Sequence, residues 1–480
     1  MSTTPADVTT AVTAAADDFT AARAELDTLV RIPSISSDPA YTPAVDACAA
    51  AVADLMRESG LEDVRELRVD GGHPYVVGEW MHAPDAPTVL LYAHHDVQPP
   101  GYVERWTSDP FEPREANGRL FGRGTADDKA GAIAHVAAVR AWLRTAGELP
   151  CNVKVMVEGE EEIGSPGLAP FLAAYASELR SDVLLLADAG NWSVGTPGLT
   201  YSLRGLVSVD VVVRGTDSPL HSGMAGGAVP DPVLALAGML ASLVDEHGDA
   251  AFDGCWDDHE PPSDAERARI AALPTDVDGL RRAWGMHDGA QLAGDPAIPL
   301  FERLWVRPAV TVIGIDGHPI AGSANQIVAE AAARVSVRVG RGQDPARLGE
   351  ALCAHLRARA PFGLAVDTTV LDVVPAWHCD PTGWAFDAAE RALVAGFGVA
   401  PVCMGVGGTI PFVGPFADTF GGIPALLLGP ADPGSRIHGE DESLHLGDFR
   451  SLIASEVHLL HELGLHGAGG AATAESAGGR

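Results

Sequence analysis

The stretch TVLLYAHHDVQPP, residues 88–100, decides the fold that we expect for this chain. It opens with an apolar, β-rich run at residues 88–93, and polar side chains follow that run directly. Similar runs recur at residues 152–157, 183–187 and 424–428, and helical patterns that end at glycine occur at residues 44–59 and 128–146. Strands that alternate with helices in this way predict an α/β fold with a mostly parallel sheet.

The middle of the chain has a different pattern. The segment from Asp231-Pro232 to about residue 246 is predicted to be a helix, and β-rich runs with few helices between them occur at residues 207–213, 309–314, 331–339 and 366–374. This pattern is typical of a separate α+β unit. We therefore expect a discontinuous α/β domain, residues 1–203 and 381–480, interrupted by an inserted domain at residues 204–380. Both ends are low in complexity, so residues 2–16 and 467–480 are expected to be frayed tails.

Composition narrows the class of protein. The 480 residues include 32 Lys and Arg against 65 Asp and Glu, a formal net charge of −33. That charge repels phosphate backbones and anionic lipid, so nucleic acids and membrane surfaces are not expected partners. Hydrophobic residues make up 46% of the chain, enough for a large core. The six cysteines form no C-x-x-C pair, and no secretory signal is recognised. We therefore expect a cytoplasmic protein with reduced thiols and no membrane span.

Candidate functional side chains gather directly after the predicted strands. Because the carboxyl ends of parallel strands meet at one edge of a sheet, segments that follow such strands are brought to the same place. Four segments follow predicted strands, and they carry His94-His95-Asp96, Glu158 to Glu162, Asp188 and His438. A fifth segment, Asp127-Asp128, lies in a glycine-rich loop at the start of a predicted helix.

This set of side chains indicates hydrolysis at a centre of two metal ions. Such a centre needs histidine and carboxylate ligands and an activated water. Mixed nitrogen and oxygen ligands favour zinc, with manganese or cobalt as alternatives. A further carboxylate must take the proton of the water, and the run Glu160-Glu161-Glu162 offers both a ligand and a base. The chain contains neither G-x-S-x-G nor G-x-x-x-x-G-K-[ST], so a serine nucleophile of the α/β-hydrolase type and a P-loop are not supported.

The motifs also resemble those of a known family. In chain order they are LLYAHHDVQP (90–99), LFGRGTADDKAG (120–131), EGEEEIGS (158–165), the Asp188 loop, DSPLHSGMAGG (217–227) and GSRIHGEDESL (434–444). Together they resemble the M20 family of di-zinc metallopeptidases, and DVQP is most similar to its dipeptidase branch, the carnosinase-like and cytosolic non-specific dipeptidases. The resemblance implies that residues 204–380 form a lid and dimerisation domain and that the remainder forms the catalytic domain.

The resemblance implies a role for each residue of the candidate centre. Two divalent ions would be bound, one by His94 and Asp188 and the other by Glu162 and His438, with Asp127 bridging both. Glu161 would be the general base that deprotonates a water between the ions, and Asp96 would orient His94. The peptide bond between Asp127 and Asp128 is expected to be cis.

Further roles are implied outside the candidate centre. His221 would donate a hydrogen bond to the scissile carbonyl oxygen in the active site of the partner subunit, which makes a homodimer the expected assembly. Asn325 and Arg338, in the inserted domain, and Gly408-Thr409, in the returning α/β segment, would hold the carboxylate of the substrate.

The chain departs from the family pattern at three positions. Ala93 replaces the usual Gly, His95 replaces a frequent Tyr beside the expected ligand His94, and Thr409 replaces a frequent Ser.

Three functions are considered for the chain. The expected activity is metal-dependent hydrolysis of dipeptides. The alternative within the family is hydrolysis of N-acyl amino acids, and the alternative outside catalysis is an inactive homologue that serves as a binding protein. All expected ligands and Glu161 are present, which argues against the inactive homologue.

Overall fold

The computed structural model describes residues 7–467, and contacts between its residues divide the chain into two compact units. The first unit runs to Tyr201 and also includes Cys379–Met404 and the chain from Ile410 onward. The second unit consists of Ser202–His378 and Gly405–Thr409. No helix in the described range has both the length and the apolar composition needed to cross a lipid bilayer.

The helices and strands are numbered here in chain order. The helices are α1 Val8–Val30, α2 Thr42–Ser59, α3 Lys129–Ala146, α4 Leu168–Leu179, α5 Ser222–Ala225, α6 Pro232–Ala241, α7 Asp264–Ala272, α8 Val277–Ala283, α9 Leu300–Trp305, α10 Pro345–Ala358, α11 Trp384–Phe397, α12 Val413–Thr419 and α13 Leu446–Gly464. The strands are β1 Glu62–Leu67, β2 Tyr75–Trp80, β3 Thr88–His94, β4 Arg114–Ala116, β5 Arg119–Phe121, β6 Asn152–Glu158, β7 Val183–Leu186, β8 Gly198–Leu203, β9 Gly205–Arg214, β10 Leu220–His221, β11 Ala309–Asp316, β12 Gln326–Ile327, β13 Glu330–Val339, β14 Ala365–Val374, β15 Trp377–His378, β16 Val402–Val406, β17 Ala425–Leu427 and β18 Ser443–His445.

The main sheet of the first unit is mixed. Its strands lie in the order β1-β2-β6-β3-β7-β17-β8. The four central strands, β6, β3, β7 and β17, are parallel to one another, whereas the pairs at both sides are antiparallel. The prediction of an α/β fold is confirmed, but the sheet is mixed rather than mostly parallel, and its parallel part is this central group. These four strands end at the same edge, because parallel neighbours present their carboxyl ends together.

Both faces of this sheet are buried, which explains why its central strands are apolar without alternation. Val89, Leu91 and Ala93 belong to the core cluster that includes residues of α1, α2, α3, α11 and α13. Tyr92 points to the opposite face, because neighbouring residues of a strand alternate, and its ring stacks on Phe412 with 3.9 Å between the ring centroids.

The N-terminal segment was wrongly predicted to be a frayed tail over residues 2–16. Residues from Val8 onward belong to helix α1, and the side chain of Asp7 caps the helix by accepting a hydrogen bond from the backbone N–H of Thr9. Alanine favours helix, and Ala11 and Ala15 are buried where α1 packs against α3 and α13. Small side chains here serve close helix packing. Residues 2–6 and 468–480 of the two predicted tails lie outside the described residues.

The second unit is built on an antiparallel sheet with the order β11-β13-β9-β14. Alternate valines of β9 and β13 are buried against α6 and α10, and they are Val207, Val209, Val211, Val213, Val335, Val337 and Val339. Helix α6 begins at Pro232 with Asp231 as its cap, as predicted, but it ends at Ala241 rather than near residue 246. The helix stops because Val244 pairs with Ala250 across a turn whose amides donate to the carboxylate of Asp245.

The short segment Gly405–Thr409 belongs to the second unit, whereas it was predicted within residues 381–480. Hydrogen bonds explain its place. The hydroxyl of Thr409 donates to the carbonyl oxygen of Arg204 at 2.6 Å, and Nε of Arg204 donates to the carbonyl oxygen of Gly407 at 3.3 Å. Contacts place the other boundaries between the two units at residues 201/202 and 378/379.

Candidate metal centre

The edge formed by the central parallel strands of the first unit carries a cluster of His and carboxylate side chains. His94 is the last residue of β3, and it lies beside Glu158, the last residue of β6. Glu162 follows β6 in a short 3-10 helix, and Asp188 follows β7. His438 lies in the loop between β17 and β18. The order of the strands therefore brings together side chains that are hundreds of residues apart in the sequence.

Two groups of candidate ligands lie within residues 7–467, and each has its ligand atoms within 4.8 Å of one another. The first group is His94, Asp127 and Asp188. In it, Nε2 of His94 lies 3.0 Å from Oδ1 of Asp127 and 3.8 Å from Oδ1 of Asp188. The His94 ring is fully buried, so its nitrogen is held in this position by the surrounding core.

The second group is Asp127, Glu162 and His438. Nε2 of His438 lies 3.0 Å from Oδ2 of Asp127 and 3.2 Å from Oε2 of Glu162. Asp127 therefore belongs to both groups and directs one oxygen at each histidine. This is the arrangement of a carboxylate shared between two adjacent sites.

His94, and not the neighbouring His95, faces the cluster. Nδ1 of His94 lies 3.1 Å from the carbonyl oxygen of Asp96 and 3.4 Å from its Oδ1, which leaves Nε2 for a ligand. His95 points away, with Nε2 3.2 Å from the carbonyl oxygen of Pro74. Burial lowers the pKa of His95 to about 4, so that ring is neutral and structural.

Asp96 also fixes the loop that carries the adjacent glutamates. Its Oδ1 accepts from the backbone N–H of Glu161 at 3.2 Å, and its Oδ2 accepts from that of Glu162 at 3.0 Å. Burial opposes ionisation of this carboxyl, but hydrogen bonding and the charge of His94 outweigh burial and lower the pKa of Asp96. One carboxylate thus positions a histidine on one side and two glutamates on the other.

The loop of Asp127 is held by a buried ion pair that the sequence did not point to. Glu442 accepts from Nη1 of Arg123 at 2.6 Å and from the backbone N–H groups of Gly124, Ala126 and Asp127. Arg123 also donates to the carbonyl oxygen of Gly439, one residue after His438, at 3.1 Å. The pair therefore ties the Asp127 loop to the His438 loop. The peptide bond between Asp127 and Asp128 is cis.

Loss of the Arg123–Glu442 ion pair should destabilise the folded chain. We expect Glu442→Ala to lower the free energy of unfolding by about 3–5 kcal/mol, because Arg123 would be left as an uncompensated buried charge. Glu440→Ala, two residues away, is the matched control. Its carboxylate only approaches exposed Arg105 at 3.9 Å and should contribute about 0–1 kcal/mol. Chemical denaturation of both variants measures the difference. Equal losses in the free energy of unfolding would argue against a stabilising role of the Arg123–Glu442 ion pair.

The electrostatics of the cluster favour a bound cation. Burial and the nearby charge of Asp127 raise the pKa of Glu162 to about 7. Hydrogen bonds to Asp127 and Glu162 raise the pKa of His438 to about 10. Protons thus compete for the positions that divalent cations would take. Two imidazole nitrogens and the oxygens of three carboxylates form a donor set that suits zinc, manganese or cobalt, so these residues fit a divalent metal centre.

Glu161 lies beside the ligand groups without belonging to either of them. Burial is the main reason why the pKa of its carboxyl is raised well above the ordinary value, and the charges of Asp188, Glu162 and Asp127 add to the effect. A carboxylate with a raised pKa is the kind of group that can accept and return a proton near neutral pH.

The other candidate residues lie in the second unit. His221 is exposed, and its Nδ1 accepts a hydrogen bond from the backbone N–H of Gly223 at 3.1 Å. The neutral ring therefore carries its proton on Nε2, where it can be donated. Strand β10, which contains His221, pairs with β12, and the carbonyl oxygen of Asn325 just before β12 accepts from the N–H of Ser222 at 2.9 Å.

Arg338 and Thr409 meet within the second unit, next to Gly408. Nη1 of Arg338 donates to the hydroxyl of Thr409 at 3.0 Å. Arg204 lies close by, and burial followed by the charge of Arg338 lowers its pKa to about 10. Among residues 7–467, no carboxylate is ion-paired with either guanidinium, so the buried charge of Arg204 and the partly buried charge of Arg338 lie together without a protein counter-ion.

Comparison with known proteins identifies the family. The model of peptidase family M20/M25/M40 matches residues 90–462. A cysteinylglycine-S-conjugate dipeptidase of Corynebacterium striatum is 33% identical over 438 residues, which cover 91% of this chain and 94% of that protein. A Beta-Ala-His dipeptidase of Rattus norvegicus is 30% identical over 384 residues, 78% of this chain and 77% of that protein. The solved structure of the di-peptidase Dug1p from Saccharomyces cerevisiae matches with a TM-score of 0.84 at 25% identity and covers 96% of this chain and 99% of that one. The chain is a member of peptidase family M20/M25/M40.

Proposed function

We propose that this chain hydrolyses the peptide bond of dipeptides at a centre of two divalent metal ions. The observation that carries the proposal is the position of Asp127, whose two oxygens face two separate groups of ligands. His94, Asp127 and Asp188 would hold one ion, and Asp127, Glu162 and His438 would hold the other. Zinc suits these ligands best, with manganese or cobalt as alternatives.

Bound ions would act as Lewis acids and make water a nucleophile at neutral pH. The residues around them supply the remaining steps. Glu161 would accept the proton of the attacking water and then donate it to the leaving amine, since it is a carboxylate beside the ligands that is not itself a ligand. Asp96 would keep His94 oriented and fix the backbone of Glu161.

The second unit would bind the substrate. Arg338, with Thr409, Gly408 and Asn325, would hold the terminal carboxylate of the dipeptide. The absence of a paired carboxylate at Arg338 and Arg204, among the residues described, supports an anionic ligand there. His221 would donate from Nε2 to the oxygen of the scissile carbonyl as negative charge develops on it.

We further propose a homodimer, formed through the inserted domain, in which His221 serves the active site of the partner subunit. Small molecules are the proposed substrates, and the net charge of −33 disfavours nucleic acid and anionic membrane surfaces as partners. Six free cysteines support a reducing cytoplasmic location.

A matched substrate panel tests the proposed reaction. Ala-Leu and N-acetyl-Leu share the leaving leucine and differ in whether an aminoacyl or an acetyl group is attached to it. We expect the zinc- or manganese-loaded chain to hydrolyse dipeptides such as Ala-Leu faster, as the names of its dipeptidase relatives suggest. Faster hydrolysis of N-acetyl-Leu would assign the chain to the N-acyl amino acid alternative, and no hydrolysis of either class would support the inactive homologue.

Removal of metal should lower stability as well as activity. A chelator leaves Asp127, Glu162 and Asp188 in close contact without a cation, so they repel one another and one or more must take up a proton. Ligand linkage predicts that the free energy of unfolding falls by about 4 kcal/mol for each ion that was present at about 1,000 times its Kd. The melting temperature should therefore fall and recover when zinc is added. An unchanged melting temperature after verified metal removal would argue against the shared site.

A further inference from the structure

Gln98, the glutamine of the DVQP motif, contacts the candidate ligand Glu162 through three hydrogen bonds. Its backbone N–H donates to Oε1 of Glu162 at 3.1 Å. Its side-chain Nε2 donates to Oε2 at 2.9 Å and to the backbone carbonyl oxygen of Glu162 at 3.0 Å. Both carboxylate oxygens and the main chain of Glu162 are thus held by one residue.

These contacts fix the orientation of the Gln98 amide. Nε2 faces two acceptors, a carboxylate oxygen and a carbonyl oxygen. If the amide were flipped, its oxygen would face these two acceptor oxygens, and the like partial charges would repel one another. Gln98 is therefore a donor to Glu162, and a side chain of the same size without N–H groups could not replace it.

The carboxylate of the neighbouring residue, Glu161, lacks such contacts among the residues described. Within residues 7–467, the carboxylate of Glu161 receives no hydrogen bond, although its backbone N–H is held by Asp96. Glu162 has its backbone N–H held by Asp96 as well, so Asp96 does not distinguish the two residues. The carboxylate contacts made by Gln98 do distinguish them.

We propose that Gln98 is a positioning residue that makes Glu162, rather than Glu161, the ligand of the second group. Hydrogen bonds to both oxygens hold the Glu162 carboxylate toward His438, whose Nε2 is 3.2 Å from Oε2. Glu161 keeps the freedom of an unbound carboxylate. The inference rests on the metal centre of the proposed function, and it assigns a role to the Q of DVQP that is independent of substrate.

The test is a metal titration of the full chain after chelation, with Zn²⁺ as the probe and calorimetry as the readout. Loss of a residue that orients a metal ligand typically costs 10–100-fold in affinity. We expect Gln98→Leu to lower the affinity for one of the two Zn²⁺ ions by about 10–100-fold and to leave the affinity for the other unchanged. Gln98→Glu, which places a like charge against Glu162, should weaken the same ion as well.

Double variants assign the weakened ion. In Glu162→Ala, which lacks the second group, the added Gln98→Leu should not change the affinity of the remaining ion. In Asp188→Ala, which damages the first group, Gln98→Leu should still weaken binding. An effect of equal size in both backgrounds would overturn the assignment, because additive effects indicate no specific coupling.

Gln343→Leu is the matched structural control. The Gln343 amide is buried in the second unit and donates to the carbonyl oxygens of Cys255 and Asp257, so the same type of hydrogen bond is lost far from any candidate ligand in the sequence. It should lower the melting temperature and leave both Zn²⁺ affinities unchanged. Two normal Zn²⁺ affinities in Gln98→Leu would overturn the inference alone, whereas a wild-type chain that binds no Zn²⁺ would overturn the metal centre itself.

Discussion

Glu161→Gln should retain its metal ions and bind substrate, yet lose about 10²–10⁴-fold in turnover. The amide has nearly the shape of the carboxylate but cannot accept a proton from water, so the loss should appear in kcat with little change in KM. The measurement is steady-state hydrolysis of a dipeptide by protein whose metal content has been determined. Near-normal turnover in metal-replete Glu161→Gln would show that another group is the base.

The adjacent substitution provides the control for this assignment. Glu162→Ala removes a carboxylate of the second group, so the loss should appear first as one missing ion per chain. Excess metal should partly restore its activity and should do nothing for Glu161→Gln. If both variants lost metal, or both kept it, the separate roles of base and ligand would not hold.

Mixing inactive variants should restore activity if the active site is shared between subunits. His221→Ala should be nearly inactive, since removal of an oxyanion donor costs about 3 kcal/mol. In a heterodimer of His221→Ala and Glu161→Gln, one site would carry both lesions and the other would carry neither. Random exchange gives mixed dimers in half of the cases, and half of their sites are intact, so roughly a quarter of wild-type activity should return.

Exchange of subunits must be demonstrated separately, for example by mass-tagged chains. Each variant mixed with itself serves as the control and should stay inactive. If His221 serves its own subunit, every site in every dimer retains one lesion, and no activity returns despite exchange. That outcome would remove the shared site and leave the metal centre unaffected.

The parts of the fold that follow local rules could be predicted from the sequence. The run at residues 88–93 corresponds to strand Thr88–His94, and the helix predicted to end before Gly147 ends at Ala146, where Gly147 adopts a positive φ of 73°. Helix α1 was missed because its Ala- and Thr-rich sequence has the composition of a tail, and only packing against α3 and α13 reveals the reason for its small residues.

The candidate ligands could be proposed from their positions after strands, but the residues that hold them could not. Gln98 and Glu442 lie within motifs that were recognised, and nothing in their local sequence indicates a partner. Glu442 contacts a loop more than 300 residues earlier in the chain, and Gln98 contacts Glu162 across the ends of two strands. Such pairs depend on strand order and register, which a single sequence does not determine.

Anomalous diffraction from crystals of the chain grown with zinc tests the central claim most directly. Data collected at the zinc absorption edge should show two peaks beside the carboxylate of Asp127, one toward His94 and Asp188 and the other toward Glu162 and His438. A single peak at this carboxylate, or zinc bound only elsewhere on the chain, would contradict a centre of two ions that share Asp127.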